Sequence, residues 1–222
     1  MSIPKPSHGF NESLSAEYGT DEFKFISKIK SRQVLKVLRL GYNILWSDVD
    51  IFWNKNPIPD ILKKMESDID IAIQSNAPPT EENDNGKFRA NSGFYYIKWS
   101  PNVIGAFEAI VDHAMESPRS EQPSFYIILC GDKLEYVVGK NKCKNTMLDI
   151  STLYLDRLSY PNGAMVDLFR HMDVSKSDGV NILHFNWRKG ENIKIEALIE
   201  KGMWLLNPDN SCDVDKMNNV GV

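Results

Sequence analysis

The sequence predicts an α/β protein in which a mixed sheet is covered by helices on both faces. Short β-prone segments alternate with amphipathic segments along most of the chain, which is typical of α/β folds. The chain has 222 residues, of which 42% are apolar and 25% charged, as expected for one globular domain with a substantial core. No repeat or linker divides it. We expect a flexible lead-in at residues 1–22, one domain at 23–208 and a polar tail at 209–222.

The predicted helices follow from apolar residues at helical spacing. In the first, apolar positions from Ile26 to Leu38 alternate with Lys and Arg, and Gly41 provides a stop. Its basic outer side is typical of a solvated helix face. A short helix follows the Asn56–Pro59 turn to about Ser67. Further helices are predicted at residues 101–115, 121–131 and 193–204.

The predicted strands are short and rich in β-branched or aromatic residues. The first runs through residues 42–53, and the others are expected at 69–74, 94–98, 134–138, 153–158 and 182–187. The polar residues Asn91, Ser92 and Gly93 come just before the third of these strands. A flexible loop is predicted at residues 77–86, and a turn at 161–163.

The first strand carries two carboxylates one residue apart, Asp48 and Asp50. Because side chains alternate along a strand, both should project to the same side, while Val49 and Ile51 point into the core. Two like charges held this close are costly unless a cation lies between them. A divalent cation with oxygen ligands, bridging to a nucleotide diphosphate, would satisfy both.

Two other interpretations of this pair remain open. Acidic residues often just end a strand at a solvated turn. Haloacid-dehalogenase-type phosphotransferases also place two Asp residues at this spacing, but they need a small hydroxylic residue two positions further on. That position is Phe52 here, which disfavours the phosphotransferase.

A second polar cluster follows the last predicted strand. His184 ends the strand, Gly190 permits close backbone approach to a ligand, and Lys194 lies at the start of a helix, where anions are favoured. Neutral imidazole suits Mn²⁺ as well as carboxylate does. A core histidine bonded to the backbone is the commoner case, but the three residues together suit a diphosphate.

In their order and spacing, these motifs resemble the nucleotide-diphospho-sugar transferases that include the plant rhamnogalacturonan-II xylosyltransferases and related arabinosyl- and galactosyltransferases. The resemblance extends from about Phe23 to Pro208. The residues that carry it are Lys30, Leu38–Tyr42, Ser47–Trp53, Asn56–Pro57, Asn91–Phe94, Glu121–Phe125, Tyr160–Gly163, His184, Asn186, Gly190, Lys194 and Trp204.

The resemblance implies a GT-A-like fold and a metal-dependent retaining glycosyltransferase that moves a sugar from a UDP-sugar to a glycan or glycoprotein. It implies Mn²⁺ (or Mg²⁺) held by Asp48, Asp50 and His184. Asp48, Asn91, Gly190 and Lys194 would bind the donor and its diphosphate. Glu121 and Gln122 would lie near the anomeric carbon as catalytic residues.

Two departures from the family pattern affect these expectations. Glu121 stands where the family has Asp, which lengthens the side chain by one methylene. In the family, a β-α-β unit that binds the nucleotide normally precedes the basic helix. Here only about twenty mostly polar residues precede that helix, and we expect them to form no such unit. A truncated or catalytically impaired remnant is therefore the alternative to an active transferase.

Composition and charge limit the partners and the compartment. A net charge of −4 argues against nucleic acid as a partner. No apolar run is long enough to span a membrane, and the start of the chain is not a signal peptide. Cys130, Cys143 and Cys212 are too few and too scattered for a disulfide framework or a zinc site, and their odd number leaves at least one thiol unpaired. The family resemblance implies the Golgi lumen, with the cytoplasm as the other option.

Overall fold

A computed structural model of the protein describes residue 16 and residues 18–65, 68–76, 90–131, 141–166 and 179–219. Its helices are α1 (Asp21–Leu38), α2 (Ile58–Lys64), α3 (Pro101–Glu116), α4 (Gln122–Cys130), α5 (Gly163–Val166), α6 (Glu191–Glu200) and α7 (Val214–Asn219). Its strands are β1 (Ile44–Ser47), β2 (Ile51–Trp53), β3 (Ile71–Ser75), β4 (Ala90–Ile97), β5 (Lys142–Asn145), β6 (Ile150–Leu155) and β7 (Ile182–His184).

Five strands form a mixed sheet in the order β1-β4-β3-β6-β5. The β3–β6 pair is parallel, and the other three pairs are antiparallel. A separate antiparallel ribbon pairs β2 with β7. This mixed sheet with flanking helices confirms the predicted α/β class and is consistent with a GT-A-like fold.

Both faces of the five-stranded sheet are buried, because successive side chains of its central strands point to opposite sides. In β3, Ile71 and Ile73 pack against α1, α3 and α4. Between them, Ala72 packs on the other face with residues of α2. A third cluster joins α5 and α6 to Leu183 and Phe185, next to the ribbon. The ribbon is therefore packed against its own small core.

The helix starts follow from local capping. Thr20 caps α1, since its Oγ1 accepts from the Phe23 N–H at 3.2 Å, so the helix begins two residues before the predicted Phe23. Ser100 caps α3 in the same way. Pro101 is the first residue of the helix, a position where the missing backbone N–H of proline costs nothing because no helix carbonyl would accept from it. Both long helices are thereby fixed beside the sheet.

The predicted single strand through Asp48 and Asp50 is wrong. The chain leaves the five-stranded sheet after Ser47, turns through residues 48–50 and enters the ribbon at Ile51. Val49, predicted to lie in the core, is fully exposed because it occupies the turn, whereas Ile51 is packed as predicted. The two carboxylates thus lie at a junction between two sheets.

Other boundaries differ because pairing partners set them. Residues 91–93 lie inside β4 rather than before it, the last strand ends at His184, and β6 begins at Ile150. The strand β5 was not predicted. The predicted strand at 134–138, the loop at 77–86 and most of the lead-in lie outside the described residues. The polar tail contains α7.

Two of the three cysteines form a disulfide that the sequence did not predict. Cys130 at the end of α4 forms a disulfide with Cys143 in β5, with 5.4 Å between their Cα atoms. Cys212 is the exposed free thiol that the odd count predicts. The disulfide attaches the helix that begins at Gln122 to the edge of the sheet. Within the described residues, no helix is long and apolar enough to cross a bilayer.

Candidate metal and donor site

The Asp48–Asp50 turn and the end of β7 meet in space. In the ribbon, Ile51 pairs with His184, so the histidine lies opposite the residue that follows Asp50. The Asp50 backbone carbonyl accepts from the Phe185 N–H at 2.9 Å. One ligand atom each from Asp48, Asp50 and His184 lies within 4.8 Å of the others. The predicted metal ligands are therefore neighbours.

The three groups fit a divalent cation in size and chemistry. Ligands about 2.0–2.2 Å from one ion are at most about 4.4 Å apart, so the three groups, which lie within 4.8 Å of one another, would have to move only slightly to bind the same ion. Two carboxylates and one imidazole suit a divalent cation rather than a soft, thiolate-binding metal. Asp48, Asp50 and His184 would hold the ion.

Lys194 contacts the carboxylate of Asp50 directly. Its Nζ donates to Asp50 Oδ2 at 2.6 Å, while Asp50 Oδ1 lies 3.2 Å from His184 Nε2. Burial by itself would raise the pKa of Asp50, but hydrogen bonds and charges from His184 and Lys194 outweigh it and hold the pKa well below its usual range. Asp50 is thus an ionised carboxylate with a cationic neighbour.

Lys30 is a site residue that sequence reasoning named only as part of the family pattern. Its Nζ donates to Asp48 Oδ1 at 2.9 Å and lies 3.5 Å from Glu121 Oε1. Burial would lower the pKa of Lys30, but the charges of Glu121 and Asp48 outweigh it and raise the pKa. The sequence signal for this inward position is spacing: Lys30 lies three residues after Ser27 and four before Val34, both of which line the buried face of α1.

Glu121 and Gln122 lie beside this lysine at the start of α4. Glu121 is only 2% exposed, and its Oε1 accepts from the Ser92 hydroxyl at 2.8 Å. Gln122 Oε1 accepts from the Ser92 N–H at 3.3 Å. The predicted catalytic pair is therefore joined to the Asn91–Gly93 segment of β4 and, through Lys30, to Asp48.

Asn91 lies against the imidazole and is itself held by hydrogen bonds. Its Oδ1 accepts from the Gly93 N–H at 2.9 Å, and its Nδ2 donates to Asn76 Oδ1 at 3.3 Å and lies 3.4 Å from His184 Nδ1. Asn76 also accepts from the Asn186 amide at 3.1 Å. Asn91 is thereby a fixed polar group at the site.

Two glycines let backbone segments approach the site. Gly163, in the Tyr160–Gly163 turn, donates to Asn186 Oδ1 at 2.6 Å, and a Cβ there would clash with the Asn186 carbonyl. Gly190 caps α6 with φ +99°, a conformation that favours glycine. Among the described residues, nothing lies within 4 Å of the Cβ position of Gly190. That space is consistent with its expected role near the diphosphate.

The charged side chains around the Asp48–Asp50 turn carry a net negative charge, which favours binding of a cation. Asp48, Asp50 and Glu121 carry three negative charges, which Lys30 and Lys194 offset only in part. Adding a divalent ion would make the cluster net positive. A positive cluster favours an anionic ligand such as a diphosphate.

Gly93 has no room for a side chain beside the candidate metal ligands His184 and Asp48. A Cβ there would lie 2.5 Å from His184 Cε1 and 2.8 Å from Asp48 Oδ2. We expect Gly93→Ala to displace these ligands and lower turnover about 10²-fold, measured as donor hydrolysis. Gly105→Ala, in the open interior of α3, is the matched control and should raise stability by up to about 1 kcal/mol. Equal activity of the two variants would contradict the expectation.

The chain belongs to the nucleotide-diphospho-sugar transferase family, whose pattern matches residues 7–198. This confirms the family suggested by the sequence motifs. Among curated relatives, Beta-arabinofuranosyltransferase RAY1 of Arabidopsis thaliana is 40% identical over 190 residues, which cover 84% of this chain. UDP-galactose:fucoside alpha-3-galactosyltransferase of Dictyostelium discoideum is 24% identical over 96% of the chain.

The chain spans about a third of the length of these relatives, 35% of the first and 32% of the second. No solved structure matches the chain significantly. The relatives are named as sugar transferases, which agrees with the class that the fold and the site geometry define. Their full lengths contain further sequence that this chain does not align with.

Proposed function

We propose that the protein is a metal-dependent, retaining glycosyltransferase that moves a sugar from a UDP-sugar to a glycan or glycoprotein acceptor. One observation carries the proposal: Asp48, Asp50 and His184 converge within 4.8 Å. The lysines beside them strengthen it, because Lys194 lies 2.6 Å from Asp50 and Lys30 lies 2.9 Å from Asp48. Mn²⁺ or Mg²⁺ is the proposed ion.

Each site residue has a role in this reaction. When bound, the ion would offset charge on the diphosphate as UDP leaves. Lys194 would place an ammonium where charge develops on the β-phosphate, and the free N–H groups of the α6 N-terminus would support it. Gly190 would allow the backbone to approach that phosphate. Asp48 would also orient the donor ribose, in addition to binding the ion.

The sugar would lie between the ion and the start of α4. Asn91 and Gln122 are the polar groups proposed to contact the donor sugar, and Glu121 acts beside the anomeric carbon. Glu121 is buried against Ser92 and Lys30, which favours a fixed electrostatic role over contact with solvent. This placement supports catalysis by charge stabilisation rather than by a mobile acid.

A donor-hydrolysis screen tests the proposal. UDP-arabinofuranose, UDP-galactose and UDP-xylose would be incubated with the protein and Mn²⁺, or with Mn²⁺ and a chelator, and free UDP measured. The first two donors follow from the activities in the relatives' names. UDP release that needs Mn²⁺ supports the transferase. Mn²⁺ binding without release from any donor would favour the catalytically impaired remnant.

We also propose a lumenal compartment of the secretory pathway, with the Golgi as the site of action. The Cys130–Cys143 disulfide supports this, since disulfides persist in oxidising compartments and are rare in the cytosol. The acceptor would then be a glycan or glycoprotein passing through that lumen.

The disulfide should contribute measurably to stability. It closes a loop between residues 13 apart, so replacing Cys130 and Cys143 together with serine should lower the free energy of unfolding by about 3 kcal/mol. Urea unfolding followed by fluorescence measures this. Cys212→Ser, at the exposed thiol, is the control and should leave the midpoint unchanged. A double variant as stable as the control would show that the bond does not constrain the fold.

A further inference from the structure

We propose that Gln74 is a positioning residue that holds the imidazole of His184 with hydrogen on Nδ1, so that Nε2 faces Asp50 and is the nitrogen that would bind a metal ion. The inference rests on the proposed metal site. Gln74 lies in β3, on the five-stranded sheet, and is fully buried although its strand is otherwise mainly apolar. A buried amide needs partners for both its oxygen and its nitrogen.

The orientation of the Gln74 amide follows from two backbone carbonyls. Its Nε2 donates to Tyr160 O and to Pro161 O, each at 3.1 Å. A flipped amide would instead place its oxygen against two carbonyl oxygens, with no hydrogen between them. The amide nitrogen therefore faces the Tyr160–Pro161 segment, and Oε1 faces His184.

This orientation determines which ring nitrogen carries hydrogen. Gln74 Oε1 lies 2.7 Å from His184 Nδ1, and because a carbonyl oxygen can only accept, Nδ1 must donate. Asn91 Nδ2 lies further from the same nitrogen, at 3.4 Å, and donates to Asn76 instead. With Nδ1 engaged, Nε2 is the nitrogen that faces Asp50 Oδ1, at 3.2 Å, and metal binding would replace the hydrogen that Nε2 donates to this carboxylate in the metal-free protein.

The same turn also fixes the histidine backbone. The His184 N–H donates to Pro161 O at 3.1 Å, so this carbonyl accepts from both the His184 backbone and the Gln74 side chain. The backbone position and the ring orientation of His184 thus depend on one segment. Hydrogen-bond partners of this kind raise the basicity of a ligating imidazole, and their loss typically weakens metal binding about 10- to 100-fold.

Two substitutions separate positioning from stability. Gln74→Met keeps the volume but removes both the acceptor and the donor. Gln74→Glu keeps an oxygen to accept from Nδ1 but loses donation to Tyr160 O and Pro161 O. Thr152→Val is the control, because Thr152 is a buried residue of the same sheet whose hydroxyl has no hydrogen-bond partner within the described structure.

The readout is Mn²⁺ affinity of the full chain, measured by electron paramagnetic resonance without nucleotide. We expect Gln74→Met to bind Mn²⁺ about 10- to 100-fold more weakly. Gln74→Glu should melt earlier yet bind within a few fold of wild type, and Thr152→Val should bind as wild type does. Wild-type affinity in Gln74→Met would overturn the inference while leaving the metal site intact. Failure of wild type to bind Mn²⁺ would overturn both.

A spectroscopic measurement on the wild type covers the case in which Gln74→Met does not fold. With ¹⁵N-labelled histidine and bound Zn²⁺, long-range ¹H–¹⁵N correlation reports the hydrogen-bearing nitrogen of each of the four histidines. The signal absent from His184→Ala identifies the residue. Hydrogen on Nδ1 with metal on Nε2 supports the inference, and the reverse pattern overturns it.

Discussion

Replacing Asp50 with asparagine is expected to lower Mn²⁺-dependent turnover of the UDP-sugar by at least about 10²–10³-fold. The substitution keeps the shape of the side chain but removes the charge that faces His184 Nε2 and Lys194 Nζ. It should also abolish the difference in UDP affinity between Mn²⁺ and chelator, which isothermal titration calorimetry measures. Both losses have one physical cause, the missing anionic ligand.

Asp149→Asn is the matched control for this variant. Asp149 forms an exposed ion pair with Lys144 beside β5, at the opposite edge of the five-stranded sheet from β1. It has φ +50°, which asparagine also tolerates. This control should keep full activity and the Mn²⁺ effect on UDP binding. If Asp50→Asn bound UDP better with Mn²⁺ than without it, as wild type is expected to, the assigned ligand set would be wrong.

Replacing Lys30 with methionine is expected to lower both the stability and the activity of the protein. It leaves the buried carboxylate of Glu121 without its cation, and loss of one partner of a buried pair typically costs about 3–5 kcal/mol. It also removes the partner of Asp48, so turnover should fall as well. Chemical denaturation measures the free energy of unfolding, and donor hydrolysis measures activity.

Two companion variants show whether the charge is responsible. Lys24→Met, on the same helix, removes only the exposed pair with Asp21 and should change stability by less than about 1 kcal/mol. Adding Glu121→Gln to Lys30→Met removes the uncompensated buried charge and should recover most of the lost stability, but not activity. If the double variant were less stable than Lys30→Met, packing rather than charge would explain the effect.

The convergence of the candidate site residues could be predicted from the sequence, because it depends on which residue types are present rather than on exact local geometry. Asp48, Asp50, His184 and Lys194 were expected together, and they are together, although the stated reason for the Asp pair was wrong. Strand alternation was expected to align the two carboxylates, whereas a turn between two sheets does so. The prediction that these residues lie together was therefore correct even though the predicted local backbone geometry was wrong.

The residues that escaped prediction depend on tertiary packing. Lys30 reads as one of several lysines on a basic helix until its neighbours on the buried face are known. Gln74 is a polar residue in a mainly apolar strand. That pattern indicates that its side chain is buried, but it does not indicate that the side chain contacts His184. β5 has no alternating apolar pattern and exists because it pairs with β6 and is joined to α4 through Cys143. Sequence periodicity cannot reveal such pairings.

The junction at residues 48–50 has a mechanical consequence. Asp48 directly follows β1 of the large sheet, whereas Asp50 directly precedes β2 and His184 ends β7, the two strands of the ribbon. In the proposed loaded state, one ion would cross-link these two units much as a disulfide does. Chelation should then accelerate hydrogen–deuterium exchange in the ribbon more than in the central strands, so that cofactor occupancy sets local rigidity.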